Sequence, residues 1–228
     1  MVRDLRQLEG TLITDIYAAL LGHGNWQTFV DRVTEILPEG KATMFYHDYT
    51  AGSGALSINS GFGAEIISAY SQYYAAKNPW MPKAFTRPLG HGVRSEQMMP
   101  REDLLRTEFY ADYLRPQGLC SGVGVTIFRD KGCNFMLSVL SGPAEDDEAS
   151  AAADLLTRLA PHLRQAFTYY RNGIAGVSRT RQRRTPRRKL WGSPSSPSDS
   201  AGRSCRPMPW LSSCFRPASF CARIVKGD

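Results

Sequence analysis

Histidine is scarce in this chain, and the four present (His23, His47, His91 and His162) offer no pair at i, i+4 spacing for a metal. The five cysteines form no Cys-x-x-Cys pair, and the three beyond residue 200 (Cys205, Cys214 and Cys221) have no histidine near them. A zinc site is therefore not expected, and Cys120 and Cys133 read as buried or incidental thiols. No stretch approaches 18 apolar residues in a row, so no membrane span is expected. The opening Met-Val-Arg-Asp-Leu-Arg-Gln-Leu-Glu spreads charge where a signal peptide needs an apolar run, and a cytoplasmic location is expected. Phosphate-loop chemistry is missing too. Gly40-Lys41 is followed by Ala42, with no glycine five residues upstream. In Gly-Leu-Cys-Ser-Gly-Val-Gly at 118–124 the serine is displaced from a nucleophile elbow, and the segment reads as strand. Nothing here calls for a catalytic set or a cofactor, and the expectation is a protein that is not an enzyme. An enzyme without a recognisable motif stays as an alternative.

The formal net charge of +7 hides an asymmetry. From Arg171 onward there are eleven Arg and two Lys against two Asp, a local net of +11, which leaves 1–170 at −4. A mildly acidic body carries a strongly basic tail, a pattern typical of arms for nucleic acid or other acidic surfaces.

Apolar spacing predicts a helix over about 3–21 (Leu5, Leu8, Leu12, Ile16, Leu20) and a second one capped by Asn25 and closed by Pro38. Ala42 to Tyr49 and Ala55 to Ile58 read as strands joined by Ala51-Gly52-Ser53-Gly54, and Leu89 to Gln97 as a further strand weakened by glycine. Ile66, Ile67, Tyr70 and Tyr74 mark a helix stopped by Asn78-Pro79. Another helix starts at Pro100, carries Leu104, Leu105, Phe109, Tyr113 and Leu114, and ends at Pro116 and Gly118. Strands at about 119–128 and 133–140 alternate Val123, Val125, Ile127 and Phe135, Leu137, Val139. A last helix over about 146–171 is to be kinked at Pro161. The order predicts an α+β fold: an antiparallel sheet flanked by helices, a sensory-type domain of the GAF/PAS-like sort.

Two runs concentrate aromatic residues: Tyr70, Tyr73, Tyr74 and Trp80 in the first, Phe109, Tyr110 and Tyr113 in the second. Rings at this density suit the wall of a small-molecule pocket with phenol tips for orientation. They also suit the plain core of an α+β domain, and the sequence alone does not choose.

Tyr-x-x-Tyr-Tyr-Ala-Ala-x-Asn-Pro-Trp at 70–80, Leu-Leu-Arg-Thr-Glu-Phe-Tyr-x-Asp-Tyr-Leu-Arg-Pro-Gln-Gly at 104–118, Gly-Val-Gly at 122–124 and Leu-Ala-Pro-His-Leu at 159–163 resemble the N-terminal input domain of LuxR-type transcriptional regulators. The resemblance covers residues 1–171 and is strongest from Thr107 to Gly118. It implies a sensory domain, followed in the intact family by a helix-turn-helix that binds DNA, and usually acting as a homodimer. It carries no acyl-homoserine-lactone specificity onto this chain. On this reading an unknown small molecule sits between the sheet and the helices at 70–80 and 104–115. The candidate ligand-binding residues are Tyr70, Tyr74, Trp80, Phe109, Tyr110 and Tyr113. Arg106, Glu108 and Arg115 would either orient the ligand or form surface ion pairs.

Residues 172–228 depart from the family. A reading module needs periodic apolar helices, whereas this stretch offers Arg, Ser, Cys and six prolines, the composition of a disordered basic tail. If 181–198 were encoded by GC-rich codons, reading one base earlier would turn Arg-Gln-Arg-Arg-Thr-Pro-Arg-Arg-Lys-Leu-Trp-Gly into Ala-Ala-Ala-Ala-Asp-Ala-Ala-Ala-Glu-Ala-Leu-Gly, a good helix. A frameshifted regulator that lacks its helix-turn-helix is one expectation. The other is a real basic arm, with Arg181, Arg183, Arg184, Arg187, Arg188 and Lys189 contacting nucleic-acid phosphates without sequence preference.

Overall fold

Val123, Val125 and Ile127 alternate with Gly122, Gly124 and Thr126, so one strand offers a bulky apolar face and a nearly bare one. In the computed structural model, which describes residues 5–48, 52–130 and 132–182 (without the side chains of 55–57 and 170–182), this strand lies next to the edge of a sheet. Strands β1 (Lys41–Asp48), β2 (Ser53–Ser60), β3 (Gly92–Arg94), β4 (Ser121–Asp130) and β5 (Cys133–Ser141) form five antiparallel strands in the order β2-β1-β5-β4-β3. The fold is α+β, an antiparallel sheet flanked by helices.

The bulky face carries the main core. Val123, Val125, Ile127, Phe135, Leu137 and Val139 pack beneath α1 (Leu5–Leu21), α2 (Trp26–Val33) and α8 (Asp146–Gln182). Asn25 caps α2 by accepting from Thr28 N at 2.8 Å, which satisfies one of the orphan donors of the first turn. The α8 stripe of Leu155, Leu156, Leu159, Leu163 and Phe167 is fully buried. Arg158 reaches Glu9 at 2.8 Å and Arg32 reaches Asp15 at 2.7 Å, tying α8 to α1 and α2 to α1. Among the described residues no helix is long and apolar enough to cross a membrane.

Several boundaries differ from expectation. The strand expected over 89–97 is only Gly92–Arg94, because Gly92 passes directly under α8 and Ser95 already begins a helical turn. Gly92 N donates to Thr157 Oγ1 at 2.9 Å, and a β-carbon there would collide with the Ala153 carbonyl oxygen. Gly92→Ala is therefore expected to push β3 off α8 and cost about 2 kcal/mol, the usual scale of overpacking; a urea midpoint unchanged from the parent chain would refute it. The helix expected from Pro100 is broken at Arg106 and Thr107. Thr107 Oγ1 donates to the Leu104 carbonyl at 2.7 Å and accepts from Tyr110 N at 3.1 Å, so it ends one helix and caps the next. An unforeseen helix, α5 (Met81–Thr86), comes directly after Trp80, with a proline in its first turn. Finally, α8 does not stop near 171 but continues to Gln182, with Pro161 inside it. Arg181 thus lies at the end of a helix rather than in the tail proper, while Arg183, Arg184, Arg187, Arg188 and Lys189 fall outside the described residues.

Candidate functional site

On the bare face of the sheet, Thr43 and Phe45 of β1, Gly122 and Gly124 of β4, and Met136, Ser138 and Leu140 of β5 point away from the main core. The chain between β2 and β4 folds over this face as a roof. It comprises α3 (Ala64–Ala69), α4 (Ala75–Lys77), α5, α6 (Ser95–Met98) and α7 (Arg101–Leu105), with wider turns between them. Roof and sheet share a second core that includes Tyr70, Trp80, Met81, Leu104, Phe109, Tyr113, Leu114 and Met136.

Two roof segments are π-helical, Tyr70–Tyr74 and Phe109–Leu114. In the first the Ala75 N–H donates to the Tyr70 carbonyl, and in the second the Arg115 N–H donates to the Tyr110 carbonyl, five residues back in each case. The wider turns interlock their rings: Tyr74 and Tyr113 centroids are 4.8 Å apart, Tyr70 and Tyr113 5.8 Å, Phe109 and Tyr113 5.2 Å. Outside, Glu108 accepts from Tyr73 Oη at 2.6 Å and pairs with Lys77 at 3.2 Å, clasping the two segments at the surface. The hydrogen bond from Tyr73, then Lys77, holds the Glu108 carboxyl below its usual range.

Between roof and sheet lies a cavity of about 50 Å³. Four of the six aromatic candidates line it: Tyr70, Trp80, Phe109 and Tyr113. Tyr74 and Tyr110 do not; both are half-buried behind the wall, packed against the same core. Of the charged candidates, Glu108 belongs to the surface clasp and Arg106 is an exposed partner of Asp103 at 3.9 Å. Arg115 is exposed as well, and none of the three lines the cavity.

The polar groups of the wall come from elsewhere. Asn78, read from sequence only as a helix stop, donates from Nδ2 to Tyr70 Oη at 3.2 Å and accepts from Trp80 N at 3.1 Å. Burial pushes the Tyr70 phenol up to about 12, partly offset by Asn78. Burial, then the neighbouring Tyr70, raises the Tyr113 phenol further. Both phenols are therefore neutral hydroxyls near neutral pH. Among the described residues the buried Trp80 indole N–H has no partner, an arrangement that costs about 1–3 kcal/mol when nothing else compensates. Arg87, absent from the sequence-based candidates, is 9% exposed and lines the cavity. Its Nε donates to Thr126 Oγ1 at 2.8 Å and its Nη1 to the Gly124 carbonyl at 3.2 Å. Burial, and then the charge of Arg129, lowers its pKa to about 10, so it remains cationic at neutral pH. The one sequence signal for Arg87 is a lone arginine before Pro88 in an otherwise uncharged stretch, Ala84-Phe85-Thr86-Arg87-Pro88-Leu89. Among the described residues no group of three His, Cys, Asp or Glu is placed to hold a metal ion.

No protein family's sequence profile matches the chain. No curated protein matches it either. Solved structures do. The LBD domain of VqsR from Pseudomonas aeruginosa superposes with a TM-score of 0.52 at 17% identity, covering 69% of this chain and 96% of that one. The GAF domain of a phosphoenolpyruvate-protein phosphotransferase from Coxiella burnetii gives 0.46 at 14% identity, covering 76% and 99%. CepR2 from Burkholderia cenocepacia, an N-acylhomoserine lactone dependent LuxR family transcription factor, gives 0.42 at 14% identity, covering 69% and 98%. At 17% identity the likeness to the VqsR domain is one of fold. The chain shares the α+β fold of that LBD domain.

Proposed function

We propose that this chain is the sensory domain of a LuxR-type transcriptional regulator, that its cavity takes a small molecule, and that it acts as a homodimer through its terminal helices rather than as an enzyme. The observation that carries the reading is the wall between roof and sheet. It combines apolar rings, two neutral phenols and an indole N–H left without an acceptor. Few-in-number polar groups set in an apolar wall are the pattern of a ligand site. The fold shared with the VqsR LBD domain and the motifs at 70–80 and 104–118 support it.

The volume constrains the occupant. A cavity of about 50 Å³ holds roughly four waters at about 10–15 Å³ each, well short of the several hundred Å³ of a drug-sized site. Larger ligands therefore require the roof to lift, and the clasp at Glu108 is where the two ring-bearing segments would part. A thermal-shift screen of the full chain against metabolites tests the reading. Stabilisation by a discrete chemical class is expected, and a flat response across the screen would leave a dimer scaffold instead. Sedimentation of the full chain tests the dimer, which a purely monomeric profile would refute.

Trp80→Phe separates a binding role from a packing role. A smaller phenyl ring replaces the indole and the orphan donor is removed, so relief of the unpaired N–H offsets the lost packing and the free chain should melt near the parent temperature. Binding of any stabilising compound with an acceptor at that point should weaken about five- to tenfold, the worth of one hydrogen bond. Unchanged binding would assign Trp80 to the core alone.

A further inference from the structure

Arg87 is a buried cation. Its Nε and Nη1 are engaged by neutral groups, the Thr126 hydroxyl and the Gly124 carbonyl, with the Met98 thioether at 3.6 Å from Nη1. Among the described residues no carboxylate pairs with it. Glu96, on α6 beside the cavity, is already engaged by Ser95 Oγ at 3.0 Å and Ser121 Oγ at 3.1 Å. The neighbouring charge is of the same sign: Arg129 Nη2 donates to the Arg87 carbonyl at 2.8 Å. Burying a guanidinium beside another one is costly unless an anion completes the site.

The floor beside it is shaped for that anion. Gly124 has no side chain, and the place where its β-carbon would stand lies 2.9 Å from Ser138 Oγ and 3.7 Å from Arg87 Nη2. Among the described residues neither atom makes a hydrogen bond. A free hydroxyl and the free edge of a guanidinium thus converge over one bare glycine, on the cavity side of the sheet. The opposite wall is apolar and aromatic. A planar anion with a short apolar body matches both halves, and the planar match to a guanidinium favours carboxylate.

We propose that Arg87 anchors a carboxylate: the cavity takes a small organic acid whose carboxylate sits over Gly124 between Arg87 Nη2 and Ser138 Oγ, with its apolar part against Tyr70, Trp80, Phe109 and Tyr113. The inference rests on the reading of the cavity as a ligand site and names the chemical class it takes. Isothermal titration of the full chain with propionate, butyrate and benzoate, each against its amide, tests it, with inorganic phosphate as a tetrahedral anion. Acids are expected to bind about tenfold or more tightly than their amides, as a charge-assisted bond requires. Arg87→Met should erase that difference. Gly124→Ala should also weaken acid binding, and it should fold, since the new methyl meets only the rotatable Ser138 hydroxyl closer than 3 Å. Should Arg87→Met fail to fold, Gly124→Ala and Ser138→Ala carry the same test. Equal binding of acids and amides overturns the anchor and leaves the ligand site standing. Binding of phosphate without the acids overturns the carboxylate assignment, and binding of no probe overturns both the anchor and the site.

Discussion

Phe167→Ala should lower the free energy of unfolding by about 3–5 kcal/mol, the range for emptying a fully buried aromatic position. The ring is inaccessible to solvent and closes the main core where three elements meet. It stacks on Trp26 of α2 with centroids 4.7 Å apart, meets Phe135 of β5 edge-on at 5.0 Å and reaches Phe128 of β4 at 6.4 Å. These neighbours are poorly placed to collapse into the space, since two of them are themselves rings held by the sheet. Phe167 is the last fully buried residue described on α8, which runs on to Gln182. Urea unfolding followed by tryptophan fluorescence checks the value. The control is Tyr169→Ala, on the same helix but 66% exposed, which should change stability by no more than about 0.5 kcal/mol. Equal effects of the two substitutions would mean that α8 is not docked on the sheet as described.

The second large effect is acid destabilisation through His47. This residue on β1 is 3% exposed, and burial pushes its pKa down to about 4, with Asp48 offsetting the shift only in part. Among the described residues its buried ring Nδ1 has no partner, so the imidazole is kept neutral by the fold. In the unfolded chain the same ring takes up its proton near 6.5. The unfolded state therefore binds the extra proton first, and stability falls as pH drops from about 6.5 towards about 4. Above 6.5 the contribution is constant. At about 1.4 kcal/mol per pH unit the loss across that window is about 3 kcal/mol. His47→Gln should flatten the fall, which unfolding curves at pH values spanning the window would reveal. A parent and a variant with the same slope would show that the acid sensitivity lies in other groups.

The two faces of the sheet were legible from residues alone, because strand alternation places Val123, Val125 and Ile127 on one side whatever packs there. Helices α1 and α2 were legible for the same reason, with Asn25 announcing the cap. The roof was harder to read. Tyr70–Tyr74 and Phe109–Leu114 have ordinary helical composition, and a π-helical turn differs only in which carbonyl accepts each N–H, which composition does not encode. Tyr74 and Tyr110 stay behind the cavity wall while Tyr113 lines it. Asn78 and Arg87 escaped because each sits beside a proline in a connecting stretch, where no periodicity assigns a direction to a side chain. The size of the cavity was not legible at all, since it depends on Gly122 and Gly124 facing a particular set of rings across the sheet. The basic tail lies outside the described residues beyond Gln182, so the choice between a shifted reading frame and a real basic arm rests on the coding sequence: AGC or AGA codons in 181–198 would sink the frameshift expectation.

A π-helical turn also bears on chain length. Each of the two segments carries one residue more than an α-helix of the same rise needs, and that residue is a spare that a shorter chain would lack. Deleting Gln72 would allow the first segment to close into regular α-helix, with the residues on either side keeping their phase because the wide turn alone takes up the spare residue. Tyr70 and Trp80, both on the cavity, would then still face the same space, and the change would fall on Tyr73 and Tyr74 inside the turn. Homologous chains one residue shorter there would share the sheet and the cavity wall, so a one-residue gap at this point marks the loss of the wide turn rather than a different pocket.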